Sequence, residues 1–173
     1  DIEPHHTFIM NGVTENLAHE CAEYEAKIAQ FGGIDLLIGG VGINGHVAFN
    51  EPYASPASVT RVETLNYSTF IAHQHSFGND INQIPRQGLT LGMKTILEAH
   101  EIMILANGIS KAPQIAQALD GAMSNACPLS LLQLHANTLL VCDELATYEL
   151  KVKTVKYFAS IQDEFQALAE TLG

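Results

Sequence analysis

Apolar residues along the chain gather in three short, nearly continuous runs: IDLLIGG (34–40), IMILAN (102–107) and TLLVCD (138–143). Runs without polar alternation are how strands covered on both faces read, as in parallel sheets. Between the runs, apolar positions recur at helical spacing. Leu17, Cys21, Tyr24 and Ile28 share one helix face, and Ala112, Ile115, Ala116 and Leu119 share a second after Gly108. Leu145, Tyr148, Val152 and Val155 predict a third stripe, and Ile161, Phe165, Leu168 and Leu172 a fourth. Strands alternating with helices predict βαβ units and a layered α/β fold. The segment 53–86 breaks the pattern, being rich in Ser, Asn, His and Gln. Within it VTRVETL (59–65) alternates as a strand does, and the remainder to Pro85 reads as a loop or lid. Loops of that length in compact domains are often functional. No repeat or domain boundary is visible, so residues 1–173 are expected to form one α/β domain.

Composition narrows the class. At 173 residues and 47% hydrophobic, the chain can bury a sizeable core. Its net charge is −11, with 19 acids against 8 Lys and Arg, and no basic run occurs. Nucleic acid and anionic membrane surfaces, which need clustered Lys and Arg, are therefore not expected partners. A small anion is still possible, because one local cation and backbone amides can hold it. Cys21, Cys127 and Cys142 are odd in number and widely spaced, with no CxxC pair. That argues against zinc or a disulfide framework and for a reducing compartment, here expected to be the cytoplasm. No apolar run reaches membrane-spanning length, and the first residues do not read as a signal peptide. The chain starts at Asp1 without an initiator Met, so a partial chain is expected.

The densest chemistry lies in GGVGINGHVAFNEP (39–52), directly after the first strand. Ligands of open α/β sheets sit beyond the carboxyl ends of strands. Gly39, Gly40, Gly42 and Gly45 let the backbone approach a ligand and take positive φ. His46 is the natural proton carrier near neutral pH. Glu51 is placed to accept from one ring nitrogen, fix the tautomer and raise basicity, and Asn44 to orient either partner. The alternative is a structural histidine. One His and one Glu give too few ligands for a metal. His73 and His75 in AHQH read either as a ligand pair or as part of a solvated lid.

A second feature is NGISKAPQIA (107–116). Gly108 turns the chain after a strand, Ser110 is positioned to cap, and Lys111 opens a helix with Pro113 in its first turn. A cation at the positive end of a helix costs about 0.3–1 kcal/mol unless an anion binds there. The other possibility is a solvated lysine. The residues alone point to an acid–base enzyme acting on a small anion.

At these motifs the chain resembles the glucosamine-6-phosphate deaminase (isomerase) family. The resemblance runs through TRVETL, NDINQIP, LTLGMKTIL, EIMILANGISKA, LQLH and VCDELATYELKVKTVKYF, in order, and covers Asp1 to Phe158. It implies a Rossmann-like three-layer α/β sandwich, often homo-oligomeric. It also implies conversion of glucosamine 6-phosphate and water to fructose 6-phosphate and ammonia, with no cofactor and no metal. By motif, His46 resembles the histidine that assists sugar ring opening, and Glu51 the carboxylate that tunes it. Gly40 and Gly42 resemble the backbone turn at the sugar, and Lys111 the phosphate-binding lysine. Asn44 stands where many members carry Asp, which removes one carboxylate from the relay. His75 aligns with a lid arginine for the phosphate. Ser55, Arg61 and Tyr157 match an effector site for N-acetylglucosamine 6-phosphate, but Ala54 and Glu63 replace its Ser and Lys. A Glu facing a phosphate repels it, so that activation is expected to be lost. The family's preceding segment, with a phosphate-cradling turn and the Asp that moves a proton between two sugar carbons, does not occur in this sequence. The chain alone is therefore expected to be nearly inactive and to expose apolar sheet edges. Rival expectations are a 6-phosphogluconolactonase of the same fold, a non-catalytic sugar-phosphate sensor, and a decayed or truncated paralogue.

Overall fold

The structure is a computed structural model that describes residues 2–72 and 74–172, with the side chains of 68, 72, 163 and 165–172 set aside. Helix α1 (Leu17–Gln30) is capped by Asn16, whose side chain accepts the His19 N–H at 3.0 Å. Strand β1 (Leu36–Gly40) follows. An insertion then carries β2 (Arg61–Thr64), α2 (Tyr67–Ala72), β3 (Gln87–Thr90) and α3 (Met93–Leu97). The chain returns through β4 (Glu101–Ala106), α4 (Ala112–Asp120), β5 (Thr138–Cys142) and α5 (Val152–Leu172). Strands β1, β4 and β5 form one parallel sheet in the order β1-β4-β5, with Leu36 opposite Glu101 and Ile102 opposite Thr138. The fold is thus α/β with a parallel sheet, as the runs predict.

Several expectations need correction. The sheet is packed on one face only among the described residues. Ile102, Ile104 and Ala106 point into a core with Met93, Ile96 and Ile115. On the other face Leu36, Ile38, Leu105, Leu139 and Val141 are 45–61% exposed. The strand predicted at 59–65 shortens to Arg61–Thr64, and it pairs antiparallel with β3, which pattern reading missed. The predicted lid carries α2 and two short 3-10 turns, Gln74–Phe77 and Ile81–Gln83. The stripe Leu145–Val155 is not one helix. Leu145 lies in a 3-10 turn, Tyr148 follows it, and α5 begins at Val152; all four residues are exposed. Of the fourth stripe, Ile161 is half-buried on α5, and the side chains of Phe165, Leu168 and Leu172 lie outside those described. The stripes on α1 and α4 hold, with Cys21, Ala112 and Ile115 buried.

Two carboxylates tie these elements together. At the α4 end, Asp120 accepts the Lys151 N–H at 2.8 Å and the Thr154 hydroxyl at 2.5 Å, which starts α5. On α1, Glu25 accepts the Thr60 N–H at 2.7 Å and the Thr95 hydroxyl at 2.6 Å, and so joins α1 to the approach of β2 and to α3. Burial pushes the Glu25 carboxyl up, but the Thr60 and Thr95 hydrogen bonds and the Lys94 charge outweigh it and hold it below its ordinary value of 4.5. A depressed carboxylate stabilises the fold above its unfolded pKa. That stability is lost as pH falls through the lower folded value. Glu25→Ala should destabilise the protein by about 1–3 kcal/mol at pH 7, because the donors of the buried Thr60 and Thr95 lose their acceptor. Chemical denaturation at pH 7 and below pH 4.5 checks this: the gap between wild type and variant should narrow in acid.

Candidate active site

The loop after β1 is built by its own hydrogen bonds. The Gly42 N–H donates to the His46 carbonyl at 2.9 Å, and the Gly45 N–H to the Gly42 carbonyl at 3.1 Å. Asn44 Oδ1 accepts the His46 backbone N–H at 3.2 Å, a turn typical of asparagine. Of the four loop glycines only Gly45 takes positive φ, at 81°; the expectation that the others do is not met. Gly42 is needed for a different reason. A Cβ there would stand 2.0–2.3 Å from ring atoms of His46, so the imidazole lies where any other residue would have a side chain. From below, the Leu129 N–H donates to the Gly45 carbonyl at 2.9 Å, and Cys127 packs beneath the turn. Burial pushes the Cys127 thiol up, so it serves as packing and not as a thiolate.

Asn44, His46 and Glu51 come together, but not in the predicted order. Asn44 Oδ1, and not Glu51, meets His46 Nδ1, at 2.7 Å. Asn44 Nδ2 donates to Glu51 Oε2 at 2.7 Å. Glu51 Oε2 is 3.7 Å from His46 Nδ1, beyond hydrogen-bond range. Glu51 therefore acts on the ring through the asparagine. It is buried, and its Oε1 has no hydrogen-bond partner among the described residues.

Sequence reasoning missed three residues here. Asn66 Nδ2 donates to Glu51 Oε2 at 2.5 Å. The Thr69 hydroxyl lies 3.4 Å from His46 Nδ1. Asn50 is fully buried, and its amide donates to the Val47 and Leu91 carbonyls at 3.0 and 2.8 Å. An asparagine in a polar stretch carries no periodic signal, so only tertiary contact reveals these roles.

A cleft of about 480 Å³ opens at the carboxyl end of β1, lined by Gly40, Gly42, His46, Thr69 and Lys111 among others. Lys111 and His46 thus share one cavity although 65 positions separate them in the numbering. Ser110 is not the cap of α4. A 3-10 turn, Ile109–Lys111, precedes the helix and Lys111 occupies the cap position without a side-chain bond. Asp143 instead accepts the Gly108 N–H on both oxygens at 3.0 Å. His75 is exposed on its 3-10 turn and does not line the cleft. His73 lies outside the described residues, and no group of three or more His, Cys, Asp or Glu among the described residues could hold a metal ion.

The matched effector residues are not joined by any described contact. The Arg61 guanidinium donates to Glu63 Oε2 through Nε at 3.0 Å and Nη2 at 2.5 Å, and to Asn50 Oδ1 at 2.9 Å. Ser55 Oγ accepts the Ala57 N–H, and Tyr157 stands exposed on α5 beside Phe158. One consequence of the loop geometry is directly measurable. Gly42→Ala should drive the imidazole off its seat and break the 2.7 Å Asn44–His46 bond. The ring ¹⁵N shifts would then lose the signature of an Nδ1–H donated to Asn44, whereas an unchanged spectrum would show that the ring is not seated on Gly42.

The fold and the site have relatives. The profile described as glucosamine-6-phosphate isomerases/6-phosphogluconolactonase matches residues 1–141. A Bacteroides fragilis protein named glucosamine-6-phosphate deaminase is 48% identical over 162 residues, which cover 94% of this chain and 60% of that protein. The chain thus spans about 60% of the length of that relative. Among solved structures, one described as a monomeric glucosamine-6-phosphate deaminase superposes with a TM-score of 0.82 at 37% identity, over 85% of this chain and 61% of that one. A 6-phosphogluconolactonase from Trypanosoma brucei superposes at 0.57 with 16% identity, over 82% and 56%, and shares the fold. The chain belongs to the family of glucosamine-6-phosphate isomerases and 6-phosphogluconolactonases.

Proposed function

We propose that the complete protein is a glucosamine-6-phosphate deaminase, an acid–base enzyme that turns glucosamine 6-phosphate and water into fructose 6-phosphate and ammonia without a cofactor. One observation carries this: His46, oriented by Asn44 and Glu51, lines the same cleft as Lys111. Nδ1 is committed to Asn44, so proton exchange with the sugar runs through Nε2. As the ring opens, that nitrogen takes the proton of the anomeric hydroxyl, whose oxygen becomes the carbonyl, and delivers it to the ring oxygen as the bond from that oxygen to the anomeric carbon breaks. Lys111 holds the phosphate at the start of α4. Backbone at Gly40 and Gly42 lines the cleft and borders the sugar. The resemblance places the proton transfer between the sugar carbons on an Asp outside this sequence. The names of relatives near half identity support the deaminase over the lactonase, whose solved example shares only 16% identity.

The cytoplasmic setting is part of the proposal. All three cysteines are free, and no described helix is long and apolar enough to cross a membrane. Homo-oligomerisation rests on the resemblance alone, and one solved relative is described as monomeric.

Ammonia release from glucosamine 6-phosphate by the full-length protein tests the proposal; no release overturns it. His46→Gln should lower kcat by about 10²–10⁴-fold. Lys111→Ala should raise KM by about tenfold to a hundredfold, the value of one charge-assisted bond, with a smaller change in kcat. An unchanged KM would remove Lys111 from the phosphate site. Because Glu63 already occupies Arg61, added N-acetylglucosamine 6-phosphate should leave the half-saturating substrate concentration unchanged, and a sharp fall would show that the effector site is intact.

A further inference from the structure

The lid helix and the relay share one side chain. Asn66 immediately precedes α2, and its Oδ1 accepts the Thr69 N–H at 2.9 Å while its carbonyl accepts the Phe70 N–H at 2.9 Å. That is the work of a helix cap. The other end of the same carboxamide turns the opposite way, and Nδ2 donates to Glu51 Oε2 at 2.5 Å. This oxygen also accepts Asn44 Nδ2 at 2.7 Å. Two amides, one from the glycine loop and one from the lid, thus converge on one carboxylate oxygen. One turn into α2, Thr69 is 1% exposed, lines the cleft and brings its hydroxyl to 3.4 Å from His46 Nδ1. Beside it Phe70 is buried, with the Arg86 guanidinium 5.4 Å from its ring centre.

We infer that Asn66 is a positioning residue for the acid–base step, locking the lid helix to the Asn44–Glu51 relay so that Thr69 and the His46 ring keep one geometry. A cap alone needs only an acceptor, which Asp, Ser or Thr supplies as well as Asn. The Nδ2 donor, which a cap does not need, is directed at Glu51. The two ends of the amide therefore have separable tasks. Asp at 66 keeps the cap and sets an anionic oxygen against Glu51 Oε2, where like charges repel.

The effect on turnover rests on the deaminase proposal; the coupling itself does not. In the full-length protein, Asn66→Asp should lower kcat for ammonia release by about tenfold or more and leave KM within about threefold, since displaced catalytic groups cost rate more than binding. Hydrogen exchange at the Thr69 and Phe70 amides should be no faster than in wild type, because the cap survives. A variant with wild-type kcat overturns the inference. So does a kcat loss accompanied by lost protection across α2, which would mark Asn66 as a merely structural cap. If the wild-type protein releases no ammonia, the deaminase proposal fails and exchange alone decides the coupling. Glu51→Ala should then speed exchange at Thr69 and Phe70 by about tenfold while α1 stays protected. Exchange that is unchanged, or accelerated equally in α1, overturns it.

Discussion

The site depends on which way one carboxamide faces. Asn44 has an oxygen and a nitrogen at the end of its side chain, and Glu51 Oε2 lies 2.7 Å from the nitrogen. Turned over, the amide would press its oxygen against a buried carboxylate with no donor between them, at a cost of a lost charge-assisted bond. The carboxylate therefore forces the nitrogen outward and the oxygen toward His46. An oxygen can only accept, so Nδ1 of the imidazole carries the hydrogen. The tautomer is set by a carboxylate that does not touch the ring. With Asp at 44, two acidic oxygens would meet at this distance, and a proton would have to sit between them. Asn removes that requirement: the relay needs one ionised carboxylate and no shared proton.

Everything else in the fold keeps this small chain of groups in register. The parallel strand β1 delivers the loop at its carboxyl end, where the sheet no longer supplies backbone partners. The loop then closes on itself through Gly42 and His46, and Leu129 holds Gly45 from the core side. Asn50, fully buried, ties the far end of the loop to Val47, Leu91 and Arg61. Buried amides of this kind are satisfied on every side and leave few alternative arrangements. Arg61 in turn is neutralised by Glu63 of the same strand, so this corner of the molecule carries its own counterion.

Much of this was legible in the sequence, for identifiable reasons. The strands showed because continuous apolar runs record the chemistry of both sheet faces, even though one face stands exposed here. The helices α1 and α4 showed because their buried stripes obey the helical period. The stripe at 145–155 misled because a turn spaces apolar residues as a helix does for a few positions. Strand β3 was hidden by its length, four residues with a glycine, and by a polar neighbourhood. At the site, residue types identified His46, Glu51 and Lys111, and proximity in sequence suggested that Glu51 meets the ring. Only geometry shows Asn44 interposed. Asn66 and Thr69 were invisible for a further reason: their roles come from α2 folding back over a loop about 20 residues earlier, and no local pattern encodes such a contact.

The proposal of an anionic substrate for an acidic chain raises a last physical question. With a net charge of −11, the protein as a whole repels a phosphate ester. Screening resolves the conflict. At physiological ionic strength the Debye length is about 8 Å, so exposed acids farther away than that contribute little. Groups within a few ångströms decide, and there the cleft offers the Lys111 ammonium. The nearest relay carboxylate, Glu51, is buried and already accepts two amide hydrogens on one oxygen. The two donors, one from the loop and one from the lid, offset part of its charge. The same local arrangement that fixes the histidine tautomer thus also surrounds Glu51, the buried acid among the described site residues, with donors.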